Sequence, residues 1–224
     1  PSVGFNSYTE NLGKSQNKGI EVRLNYRILK NAHKDLFLSA FATGMHNKNK
    51  IKEISDALDY INKERDDQKS ESNYDHEKDK QGTTKPSVRY RVGQSMDAIW
   101  AVRSLGIDPG SGEEILLTKD GRKTYAWNAD DQVVCGDKLP KLSGTFGFNF
   151  EYRGFGVNTS FFYRLGGQMY NQTLVDKVEN ADIQYNVDKR IYTDRWFEAG
   201  QAAKFKRITD PNYFTRPTSR FVQD

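Results

Sequence analysis

The chain is poor in the residues that staple or anchor other kinds of protein. One cysteine, Cys135, in 224 residues excludes an internal disulfide framework. No apolar run approaches the ~20 residues of a membrane helix, which leaves β-strands of about 9–11 residues as the only spanning element to consider. Hydrophobic residues are scarce for a chain of this length, at 36%, with a mean hydropathy of −0.83, so a large continuous core is not expected. Charge of one sign is scarce too. The net charge is +4 and Lys and Arg are scattered, which gives no basic stripe for a nucleic-acid backbone and no nucleic-acid partner. The three histidines, His33, His46 and His76, lack metal-ligand spacing, and neither a phosphate-cradling glycine loop nor a nucleophile elbow occurs. These absences point away from an enzyme, a metal site and a cofactor.

What the chain has is aromatics and alternation. Phe, Tyr and Trp make up 12%, too many for a disordered polar chain. In Lys18 to Lys30, Ile20, Val22, Leu24, Tyr26 and Ile28 alternate with Glu21, Arg23, Asn25 and Arg27, the period of a strand with one apolar and one wet face. Leu36 to about Asn47 follows a short turn and alternates less cleanly. Val88 to Val102 and the short Glu113 to Lys119 are expected strands. The clearest pair is Leu142 to Arg153 and Phe155 to Leu165, joined at Gly154. Ile51, Ile54, Leu58 and Ile61 recur at helical spacing and predict a short amphipathic helix. Residues 64–85 are charged or polar, as expected of a solvated loop.

These features predict an all-β fold of about six antiparallel strands. Their connections alternate in length. Turns near Asn31, Asp108 and Gly154 are short, and the loops at about 48–86, 121–140 and 168–219 are long. Transmembrane β-barrels pair short periplasmic turns with longer outer loops in this way. Six strands cannot close such a barrel, since single-chain examples begin at 8 strands and hydrocarbon tolerates no open edge. The chain, which starts at Pro1 without Met, is therefore expected to be part of something larger. Tyr26, Tyr90, Tyr152, Phe155 and Tyr163 are the expected membrane-interface aromatics, in contact with outer-membrane lipid. Trp127, Tyr185, Tyr192, Trp196 and Tyr213, in the long loops, are the candidates for ligand or lid contact, because aromatic faces stack on sugar rings and anchor interfaces.

Several stretches resemble the SusC/RagA-type TonB-linked outer-membrane transporters. NLGKSQNKGIEV (Asn11 to Val22) is similar to that family's entry into a strand, and NKNKIKEIS (Asn47 to Ser55) to a strand exit with a short loop helix. VGQSMDAIWAVRSLGIDPGSGE (Val92 to Glu113) resembles its G-x-D-P-x-T-G-E segment. The stretch from Asp130 to Asn171 resembles a late barrel hairpin. DRW (Asp194 to Trp196) and PTSRFVQD (Pro217 to Asp224) resemble a loop that precedes a further strand. The resemblance implies residues 1–224 as a later portion of a 22-stranded barrel, with plug domain and TonB box outside this stretch. It also implies a multi-pass protein of the bacterial outer membrane that imports oligosaccharide, or less often peptide. A SusD-like lipoprotein would serve as its lid and the TonB complex as its energy source. The alternatives are a passive porin or structural barrel, and a soluble glycan-binding β-sandwich.

Overall fold

The computed structural model describes residues 13–70, 84–181, 184, 186–208 and 214–224. Four strands form one continuous antiparallel sheet: β1 (Gly13–Asn31), β2 (Leu36–Ile54), β7 (Leu142–Tyr152) and β8 (Phe155–Leu165), in the order β1-β2-β7-β8. We call this sheet the wall. Its two hairpin turns lie together at one end. In the first, Ala32–Lys34 make a single helical turn, the Lys34 amide donates to Asn31 Oδ1 at 3.2 Å, and Asp35 takes a left-handed φ of 47°. In the second, Arg153 and Gly154 both have positive φ (49° and 80°), as a two-residue hairpin loop requires. The Arg153 amide donates to the Asp35 carbonyl at 3.1 Å and ties one turn to the other.

Register sorts the wall into two faces. Leu24 pairs with Ala42, Ala42 with Phe146, and Phe146 with Phe161, so one row crosses all four strands. Ile20, Val22, Leu24 and Tyr26 of β1 share that face with Leu36, Leu38, Ala40 and Ala42 of β2, Phe146, Phe148, Phe150 and Tyr152 of β7, and Phe155, Val157 and Phe161 of β8. Nothing covers it among the described residues: Leu24 is 63% exposed and Phe161 52%. The opposite face carries Arg23, Asn25, Ser39, Thr43, Thr145, Asn149 and Asn158. Its polar groups bond across strands, Thr43 Oγ1 to Thr145 Oγ1 at 2.9 Å and Asn149 to both Ser39 and Asn158. Glycine and aromatic residues interlock on both sides. The Tyr163 hydroxyl reaches over Gly144 to donate to the Thr43 carbonyl at 2.8 Å, and the Phe41 ring lies over Gly147.

The remaining described residues, within 55–141 and 166–224, gather at the other end of the wall. There β3 (Ala98–Ile107), β4 (Glu114–Leu117), β5 (Lys123–Thr124) and β6 (Gln132–Asp137) form a second antiparallel sheet, ordered β5-β4-β3-β6. β9 (Met169–Tyr170) pairs with β10 (Val222–Gln223). We call this assembly the loop body. The expected strands at Val88–Val102 and Glu113–Lys119 therefore pair with each other and with β6, not with the wall. The first is also shorter than expected. Gly93 turns at φ 86°, its amide is held by the Ile51 carbonyl at 2.8 Å, and only from Ala98 does the chain run extended. The turn at Asp108, expected to be short and periplasmic, lies within the loop body. The helix begins later than its spacing suggested, because β2 continues through Ile54. Ser55 Oγ then accepts from the Leu58 amide at 3.2 Å and starts helix α1 (Asp56–Ser70).

Candidate functional site in the loop body

The stretch from Gln168 to Asp224, which shows no alternation, supplies the loop body with its core. Val175, Val178, Ile191, Phe205 and Phe221 are buried together, with Tyr170 edge-on to Phe221 at 5.9 Å. The β3 run Ile99, Trp100, Ala101 and Val102 is buried on both faces. Thr218 lies parallel to Val102, and the Val102 amide donates to the Pro217 carbonyl at 3.2 Å, which docks the end of the chain onto β3.

Beside this core sits an ion cluster. Arg220 donates to Glu179 at 2.7 Å, to Glu114 at 3.1 Å and to the Lys204 carbonyl at 2.7 Å. Glu179 is fully enclosed, with no side-chain exposure, and Glu114 nearly so. Burial pushes the Glu114 carboxyl upward, but the Arg220 guanidinium outweighs it and holds the group below the usual glutamate range. Arg195 is also enclosed and donates to the carbonyls of Val178, Glu179 and Lys206. These contacts join residues far apart in sequence.

The aromatic candidates fall into two groups. Trp127 Nε1 donates to the Pro217 carbonyl at 3.1 Å, and the Arg216 guanidinium stacks on its ring at 4.9 Å. Trp196 Nε1 donates to the Pro109 carbonyl at 2.8 Å, and its ring presses on Gly112, where a Cβ would collide with it. Both brace the loop body internally. Tyr192 stands at the surface, 63% exposed. Tyr185 and Tyr213 lie outside the described residues, as does His76 in the charged stretch. Among the interface candidates, Tyr26, Tyr152, Phe155 and Tyr163 stand on the apolar face of the wall. Tyr90 does not. It sits in the loop body, its amide and carbonyl both held by the Asn62 side chain, because the chain there has left the wall.

The Asp108 turn is held by its own side chain, which accepts from the Gly110 amide, the Ser111 hydroxyl and the Tyr125 hydroxyl at 2.8–2.9 Å. The Gly110 amide and then the Tyr125 hydroxyl draw the Asp108 carboxyl below its ordinary range. The clamp between wall and loop body is Asn49. Its Nδ2 donates to Asp97 at 2.8 Å, and its Oδ1 accepts from Ser95 and from the Met96 amide at 2.7 and 2.9 Å. Asn49, Arg220 and Phe221 were not candidates from the sequence. All three lie inside motifs that carry the family resemblance, and that was the available signal. Among the described residues, no group of three or more His, Cys, Asp or Glu could hold a metal.

The chain is 24% identical over 188 residues, 77% of its length, to TonB-dependent receptor P3 of Formosa agariphila, and covers 17% of that protein. Among solved structures it matches the RagAB peptide transporter with a TM-score of 0.69 and 17% identity, over 100% of this chain and 23% of that one. The RagAB peptide importer in its closed-closed state matches with a TM-score of 0.68 and 18% identity, with the same coverage. No protein-family model matches. The chain thus spans about a fifth of the length of the proteins it matches, between 17% and 23%. A single-layer sheet with an uncovered apolar face and a folded loop body at one end has the fold of a stretch of β-barrel such as the transporters it matches contain. Its fold is like that of the RagAB transporter structures, in keeping with the resemblance of its motifs, and the curated protein it is similar to is a TonB-dependent receptor.

Proposed function

We propose that this chain is wall and outer loops of an energy-coupled importer in the bacterial outer membrane. The observation that carries the reading is the height of the apolar face. On β2 it runs from Leu36, in the row of Tyr152 and Phe155, to His46, in the row of Ile20, ten residues away. The next row is Lys18 and Lys48. Ten residues span about 33 Å along a strand. At a tilt of about 40° that is roughly 25 Å along the membrane normal, the height of the apolar band of an outer-membrane barrel. A soluble sandwich would need a second layer over Leu24, Tyr26, Phe155 and Phe161, and these side chains stand open.

In this reading residues 1–224 form one barrel portion. The hairpin turns face the periplasm and the loop body faces outward. Plug and TonB box belong to other parts of the protein, through which the TonB complex acts. The loop body offers a preformed surface to a SusD-like lipoprotein lid, and Tyr192 is its best-placed contact for cargo or lid. Oligosaccharide is the first cargo class. Peptide is the second reading, favoured by the fold likeness to a peptide importer. The test is uptake of labelled oligosaccharides and peptides by cells carrying the full-length protein, with and without a proton uncoupler. Uptake of one class that stops with the uncoupler is expected. Uptake indifferent to it would establish the passive porin instead, and a full-length protein that stays soluble without detergent would establish the sandwich.

A further inference from the structure

The rows just beyond the apolar band carry a charge pattern that import does not require. Side-chain parity is unbroken along β1 from Ser15 to Arg27 and along β2 from Leu36 to Ile51. Lys18, Lys48 and Lys50 therefore project on the same face as Ile20, Val22 and Leu24. Lys18 and Lys48 are direct cross-strand partners, and Lys50 faces Gln16. Like charges so placed have Cβ atoms about 5 Å apart and destabilise the pairing. Lys14, farther out, is neutralised by Glu53 at 2.7 Å. Lys18, Lys48 and Lys50 have no such carboxylate among the described residues, and all three are exposed. A recess of about 580 Å³ is bordered by Lys48 and Lys50 and also by His46, Lys141, Asp137 and Asp224.

We infer that Lys18, Lys48 and Lys50 form a belt that binds the phosphate groups of anionic lipid in the leaflet at the loop end of the barrel. The inference rests on the membrane reading proposed above. Lys18 and Lys48 stand one row, about 7 Å along the strand, beyond the last apolar side chains. That places their ammonium groups at headgroup level and on the lipid side, not in the lumen. A phosphorylated headgroup supplies the missing counter-charge to several lysines at once, and the cross-strand repulsion becomes a divided grip on one anion.

The test uses the full-length protein in nanodiscs of phosphatidylcholine doped with a bisphosphorylated glycolipid or its dephosphorylated form. Lipid retained through detergent washing is read by native mass spectrometry. Wild type is expected to hold the phosphorylated lipid preferentially. Each lysine removed should cost about fivefold in retention, and K18Q/K48Q/K50Q should fall to the dephosphorylated level. The threefold Lys→Arg variant should retain the lipid, as should K119Q/K123Q, which alters two exposed lysines of the loop body. Equal retention by wild type and the threefold Gln variant overturns the inference and leaves the barrel reading standing. Displacement of the lipid by inorganic phosphate also overturns it. A protein that never enters the nanodisc overturns both.

Discussion

In the wall, Leu24, Phe146 and Phe161 stand on the open side of a single layer of strands; in the loop body, Phe221, Val175 and Ile191 are sealed from solvent. Both regions are antiparallel β, yet each places its apolar residues where the other cannot. The wall is held by its ladders, by cross-strand Thr and Asn bonds, and by rings laid over glycines. Its apolar groups stay uncovered by the described chain. The loop body is a miniature globular core in which scattered residues converge, and it takes a buried ion cluster into that core. Alternation thus identifies a wall only where both faces stay open, and a buried strand such as β3 mimics it over a few residues.

Breaking the ion cluster should produce the largest effect and should fall on the loop body alone. Arg220→Ala leaves Glu179 and Glu114 enclosed without a counter-charge, a change that costs about 3–5 kcal/mol. Hydrogen exchange over 170–208 should accelerate steeply while β7 and β8 keep their protection. Loss of protection in β7 and β8 as well would mean that the two regions fold as one unit.

The next effect belongs to the wall. Phe161 and Leu24 share the row near the middle of the apolar band. Phe161→Arg should destabilise the lipid-embedded protein by about 2–4 kcal/mol, and Ser160→Arg, one residue away on the wet face, should have little effect. Denaturant titration of the full-length protein in bilayers measures the difference. Equal penalties at 160 and 161 would remove the distinction between the faces. Gly144→Ala comes third. Its Cβ would strike the Thr43 carbonyl and lie 2.7 Å from the Tyr163 hydroxyl, which forces the ring off its seat at a cost of about 1–3 kcal/mol. Ala at the open Gly156 should leave stability near wild type, apart from its own backbone preference.

The smallest effect is in pH. Because Glu114 in the folded loop body sits below its unfolded value of 4.5, its contribution is fully present above that pH. It is lost as pH falls through the lower folded value, where the unfolded chain has already taken up its proton. Loop-body protection should be flat across neutral pH and fall only on acidification. Glu114→Gln should flatten that fall, and an unchanged acid profile in this variant would dismiss the role of the pair.

How much of this was legible followed from where each signal was stored. β1, β7 and β8 were readable because a single layer writes its two faces directly as period two. β2 was readable only in part, because Ala40, Ala42, Phe37 and Phe41 put apolar residues on both of its faces. The loop body was misread as wall at Val88–Val102, where the turn at Gly93 and the burial of Ile99 to Val102 on both sides depend on contacts from Ile51, Thr218 and Gln132. Its core was illegible, since Val175, Ile191, Phe205 and Phe221 follow no period. Trp127 and Trp196 stood out as aromatics, but nothing local revealed that Pro217 and Pro109 would occupy them.

The clamp at Asn49 also bears on the order of assembly. The hairpins β1–β2 and β7–β8 close over a few residues, but joining β2 to β7 brings together Thr43 and Thr145, 102 positions apart. A closure of that length is entropically costly and slow for an unstructured chain. Asn49 holds Asp97, and the Asp97 carbonyl accepts from the Lys138 amide at 3.0 Å, so the two stems of the excursion are knitted together at its base. A loop body that forms early turns the long closure into a short one.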